Sequence, residues 1–93
     1  MDISYDPAKR QETLNERGLD FDDAPKVFQG FTLTWPDDRK DYGEDREITV
    51  GLLTLDCIVI VWTDRDASRR IISMRKASRD EREYYFRELE DSG

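Results

Sequence analysis

Glu47-Ile48-Thr49-Val50-Gly51-Leu52-Leu53-Thr54-Leu55-Asp56-Cys57-Ile58-Val59-Ile60-Val61-Trp62-Thr63 is the stretch on which the fold turns. From Glu47 to Leu53 polar and apolar residues alternate, as they do in a strand with one buried face. Leu53-Thr54-Leu55-Asp56 reads as a reversal, and the run from Cys57 to Thr63 is rich in β-branched residues and apolar on both faces. Such a run predicts a central strand covered on both sides, or a strand with one face lining a groove.

The flanks supply its partners. On the N-terminal side, Phe31-Thr32-Leu33-Thr34-Trp35 is another alternating strand, stopped by Pro36 and followed by a loop from Asp37 to Asp45. On the C-terminal side, Asp64 to Ser68 makes a turn and Arg70 to Lys76 forms a last strand. Ser78-Arg79-Asp80-Glu81 is a capping box and opens a final helix from Arg79 to about Leu89. At the start of the chain, Ile3 and Tyr5 can form a brief first strand. Asp6 is a good N-cap, and Pro7 fits the first position of a helix running to about Arg17, where Gly18 can end it in the left-handed conformation. Asp20 can cap a second short helix whose Phe21, Ala24, Val27 and Phe28 share a face, although Pro25 disturbs its regularity. Hairpin-length connections favour antiparallel pairing. The expectation is one α+β domain over residues 1–93: a small, mostly antiparallel sheet with two N-terminal helices and one C-terminal helix.

A chain of 93 residues buries only roughly 60–65% of its unfolded surface, enough for one modest core. No stretch approaches the roughly 20 apolar residues that span a bilayer. The first residues lack a basic and then apolar leader, so a cytoplasmic protein without membrane association is expected. The single cysteine, Cys57, heads an apolar run and reads as a buried thiol; neither metal nor redox cofactor is expected from it. A net charge of −7 speaks against nucleic acid as a partner, but the charge is unevenly spread. Residues 1–64 hold 7 basic and 15 acidic side chains, a balance of −8, whereas residues 65–79 hold 6 basic and 1 acidic, a balance of +5.

Arg65, Arg69, Arg70, Arg75, Lys76, Arg79 and Arg82 lie on the last strand and its flanks. Alternation places Ile72 and Met74 on one face and Ser73 and Arg75 on the other; with Ile72 and Met74 in the core, Arg75 points to the open face. Arginine there suits a phosphodiester, because its fork of donors holds two phosphate oxygens and keeps its charge. The plainer alternative is a solvated edge strand salt-bridged to the surrounding acid. With no histidine in the chain, the usual general acid and base is missing, and RNA cleavage would rest on Arg and Lys for charge. Lys9 on the first helix and Tyr84 or Tyr85 on the last are candidates for moving protons. The acidic loop fails the pattern of a calcium site, because Arg39 stands where a ligand is required.

Several blocks together resemble the BrnT toxin family: Tyr5-Asp6-Pro7-Ala8-Lys9; Arg17-Gly18-Leu19-Asp20-Phe21-Asp22-Asp23-Ala24 with Val27-Phe28; Arg46 with Ile48 to Gly51; and Arg70 to Ser78 with Glu81, Arg82 and Tyr85. The resemblance implies a RelE-like fold and a cytoplasmic ribonuclease that stops translation. It also implies a ribbon-helix-helix antitoxin of the BrnA type, which binds the toxin and represses the operon, so that operator DNA is met only through the complex. By position, the resemblance makes Lys9, Arg46, Arg70 and Arg75 the basic residues of the active surface, with Lys76 and Arg79 as supporting RNA contacts and Arg82 and Tyr85 beside them. No metal is implied. A catalytically inactive relative that only docks an antitoxin and tunes repression is the alternative; a small solute-binding or structural domain is a third.

Overall fold

The computed structural model describes residues 1–93. Its elements are β1 (Ile3–Tyr5), α1 (Pro7–Arg17), a 3-10 turn (Phe21–Asp23), α2 (Ala24–Gln29), β2 (Leu33–Pro36), β3 (Glu47–Leu53), β4 (Asp56–Arg65), β5 (Ser68–Lys76) and α3 (Arg79–Ser92). They build a five-stranded sheet in the order β1-β5-β4-β3-β2.

Local chemistry accounts for most of the boundaries. The Asp6 carboxylate accepts from the Ala8 N–H at the head of α1, and Gly18 closes that helix at φ 68°. Ser78 and Glu81 form the reciprocal capping box of α3, as their spacing predicts, although the helix continues beyond Leu89 to Ser92. The second helix differs from expectation. Asp20 caps a 3-10 turn instead, and a two-turn α2 follows with Pro25 in its first turn, where a missing N–H breaks no hydrogen bond. Phe21, Ala24 and Val27 still reach one core together. Pro36, expected to stop β2, forms its last residue at the sheet edge, where no donor is needed.

β2, β3, β4 and β5 pair antiparallel through hairpins, but β1 pairs parallel with β5, with Ile3 opposite Arg69 and Tyr5 opposite Ile71. The sheet is therefore mixed, and the expectation of a mostly antiparallel one is corrected on this side. Strands so far apart in sequence are free of the hairpin constraint that enforces antiparallel pairing. α1 packs against the part of β5 that β1 leaves open, and the Arg17 Nη1 donates to the Met74 carbonyl at 2.8 Å.

Two cores share the sheet. Ile58, Ile60 and Trp62 of β4 meet Phe21, Ala24 and Val27 on one face; Cys57, Val59 and Val61 meet Tyr85 of α3 on the other. β4 is thus covered on both sides, as its composition predicts. β5 carries a bulge opposite Val61 and Trp62, so Ile71 and Met74, three apart, both enter the first core while Ile72 packs against the second. The expected pairing of Ile72 with Met74 on one face is corrected accordingly. Arg75, beyond the bulge, remains opposite to Met74.

Candidate functional site

β4 and β5 set the geometry of the α3 face. Arg75 lies opposite Val59, and Arg70 opposite Thr63, so both project from the side on which Val59 and Val61 pack. α3 leaves part of this face open. There a hollow of about 250 Å³ is lined by Trp35, Asp37, Arg39, Val59, Arg75 and Glu81 among others. It is smaller than the roughly 300–1,000 Å³ of a typical small-molecule cleft.

Within it Arg75 is held by Glu81, Nη1 to Oε1 at 2.7 Å and Nη2 to Oε2 at 2.8 Å, while Nη1 also donates to the Lys76 carbonyl. The Arg75 side chain remains 40% exposed. Opposite in sign but alike in form, Asp37 has a fully buried side chain gripped by the Nε and Nη2 of Arg39, both at 2.7 Å. The guanidinium of Arg75 holds the Glu81 carboxyl down at about 2, and that of Arg39 does the same to Asp37, again about 2. Carboxylates so acidic are poor proton acceptors near neutrality. The hollow is built to fix positive charge more than to move protons.

Arg46 belongs to a neighbouring hollow that shares Pro36, Asp37 and Asp38 with the first. Its Nε donates to Glu44 at 3.1 Å, its guanidinium lies 4.1 Å from the Tyr42 ring centre, and the other Glu44 oxygen accepts from Arg65. Arg46 and Arg75 therefore flank one wall without entering one cavity. Lys9 lines a separate cleft on α1 with Glu12, Arg17 and Ser73. Arg70 is half-buried and has no carboxylate within ion-pair distance, and Arg82 is exposed and equally unpaired. Lys76 and Arg79 are exposed, near Asp56 and Glu83 respectively.

Tyr85 requires a correction. It is 1% exposed, its hydroxyl donates to the Phe31 carbonyl at 2.7 Å, and its ring packs against Phe31 and Phe86, so it is a core residue and offers no face to RNA. Its spacing of four from both Glu81 and Leu89 already marks the inward stripe of α3. Tyr84, the neighbouring candidate, is 47% exposed. Arg39 and Glu81 are the members of the hollow that sequence reading passes over as functional groups. Arg39 sits in an irregular loop where no periodicity assigns a direction; Glu81 shows itself as a capping residue, which conceals its grip on Arg75.

No helix is long and apolar enough to cross a membrane. No curated protein sequence matches the chain. A family model described as the ribonuclease toxin, BrnT, of type II toxin-antitoxin systems matches residues 5–81, a span that runs from the last residue of β1 through β5 into the first turn of α3 and takes in the hollow with Arg39, Arg75 and Glu81. Supported by a match over most of its length, the chain belongs to the BrnT family of ribonuclease toxins from type II toxin-antitoxin systems.

Proposed function

We propose that the chain is a metal-independent endoribonuclease that cuts RNA on the open α3 face of its sheet and so halts translation. In this reading the 2′-hydroxyl of one nucleotide attacks the adjacent phosphorus and the 5′-oxygen of the next nucleotide leaves. The products are a 2′,3′-cyclic phosphate and a 5′-hydroxyl end. The hydroxyl proton passes to solvent, and the departing oxygen takes one from water. Arg75 stabilises the phosphorane-like transition state, where negative charge on the equatorial oxygens is greatest. Arg46, Arg70 and Lys9 add positive charge around the path of the chain, and Lys76, Arg79 and Arg82 contact phosphates beyond it.

The observation that carries this reading is the setting of Arg75: projected from a strand, fixed in plane by Glu81, and lining a hollow with its Nε and one Nη2 hydrogen unused. Family membership supplies the toxin class. We extend it to a RelE-like fold, a cytoplasmic setting and a ribbon-helix-helix antitoxin of the BrnA type, through which alone operator DNA is met. The test is incubation of the purified chain with RNA in the presence of a chelator. Cleavage is expected, and Arg75→Ala should lower kcat by roughly 100–1,000-fold with the fold intact, matching the loss of one oxyanion donor. It should also relieve growth arrest on expression. Unimpaired cleavage by Arg75→Ala would refute the assignment.

A second reading is favoured by the ion pairs themselves. Arg75 and Arg46 are each engaged by a carboxylate in a chain of net charge −7, which suits a module that docks an antitoxin and modulates repression without cutting RNA. Such a protein would bind the antitoxin and leave RNA whole.

A further inference from the structure

The hollow contains a second guanidinium that the family-based assignment of Arg46 and Arg75 passes over. Building on the nuclease reading, we propose that Arg39 and Arg75 form a two-arginine clamp for the phosphate that is cut, while Arg46 serves the next phosphate along.

Arg39 and Arg75 line the same hollow and lie near enough for their positive charges to act on each other. Both are gripped edge-on by a carboxylate, so both planes are fixed before any ligand arrives. Holding the side chain in advance removes part of the rotamer entropy that an arginine otherwise loses when it is ordered. The donor count leaves room for a ligand. Arg39 uses Nε and one Nη2 hydrogen on Asp37, which leaves both Nη1 hydrogens and one on Nη2; Arg75 retains Nε and one on Nη2.

Neutralising Asp37 would by itself explain an arginine at this position. Yet the Arg39 side chain is 62% exposed while its partner is wholly buried, and it lines the same hollow as Arg75 with donors to spare. Arg46 is placed differently. Stacked on Tyr42 and tied to Glu44, it lines the adjoining hollow, which meets the first only through Pro36, Asp37 and Asp38, and this separation is the ground for giving it a different phosphate.

The experiment measures cleavage of an RNA oligonucleotide and, separately, binding of its 2′-O-methyl form, which lacks the attacking hydroxyl. Arg39→Lys keeps a cation beside Asp37 but loses the fork; the double variant Asp37→Asn with Arg39→Gln removes the buried charge and its partner together. Both should stay folded at the assay temperature, the double variant melting lower by the stability its missing ion pair supplied, and lose kcat by about 100-fold or more, whereas Arg46→Ala should show its effect in KM. If Arg39→Lys and the double variant cut at the wild-type kcat while Arg75→Ala is impaired, the clamp is wrong and the nuclease reading survives. If the wild type does not cut RNA, the nuclease reading falls. The clamp is then judged on the 2′-O-methyl strand: comparable weakening by Arg39→Lys and Arg75→Lys upholds it, and unchanged binding by Arg39→Lys overturns it.

Discussion

Glu81 serves two structures at once. Its Oε1 accepts from the Ser78 N–H at the start of α3 and from Arg75 in the hollow, and its Oε2 accepts from Arg75 again. The helix start and the arginine are thereby set by one carboxylate. Acid should expose this dependence. Glu81 and Asp37 both have folded pKa values lowered to about 2, beneath their ordinary values of 4.5 and 3.8. A depressed carboxylate contributes stability that is fully present above its unfolded pKa and is lost as pH falls toward its folded one. The urea midpoint should accordingly stay level from about pH 8 to about pH 6 and decline below about pH 5. A midpoint unchanged down to about pH 3 would show that these pairs do not hold in solution. At this scale the sequence is partly legible. Strand alternation gives the direction of Arg75, because Met74 beside it is wholly apolar and must turn inward. No such neighbour orients Arg39, and Tyr85 is misplaced wherever its hydroxyl is weighed above the helical spacing that buries its ring.

Among the elements, β3 illustrates how a sheet admits a helix. α2 and the segment after it come so close that a Cβ on Gly51 would stand 2.8 Å from Val27 Cγ1, 3.0 Å from Thr32 Cγ2 and 3.3 Å from the Val27 carbonyl oxygen. Gly51→Ala should therefore destabilise the protein by roughly 1–3 kcal/mol, the usual cost of forcing an extra methyl into a filled core, and thermal unfolding measures it. Elements specified by neighbouring residues are readable in advance: α1 and α3 from their caps, β3 and β4 from polarity. The parallel seam of β1 with β5 is not, because nothing in Ile3-Ser4-Tyr5 encodes which distant edge will receive it. The bulge that carries Ile72 across the sheet escapes notice for a similar reason, since it arises from register against β4 and not from β5 alone.

Across the whole molecule, two cores rest on a single strand. Ile60 is fully buried against the α2 side while its neighbours Val59 and Val61 face α3. Ile60→Ala should cost about 2–5 kcal/mol. Against a typical total of roughly 5–15 kcal/mol, that is enough to leave much of the population unfolded near body temperature, as circular dichroism would report. A loss below about 1 kcal/mol would mean that the strand is less central than its burial implies. The seam between the first and the penultimate elements has a further outcome during biosynthesis. Ile3 to Tyr5 must wait, unpaired, until Arg69 to Ile71 have been translated and cleared the exit tunnel. A ribosome that has completed only the β3–β4 hairpin thus carries a sheet whose far edge is still unmade, and Arg70 and Arg75 join Arg39 and Arg46 only once β5 has been read.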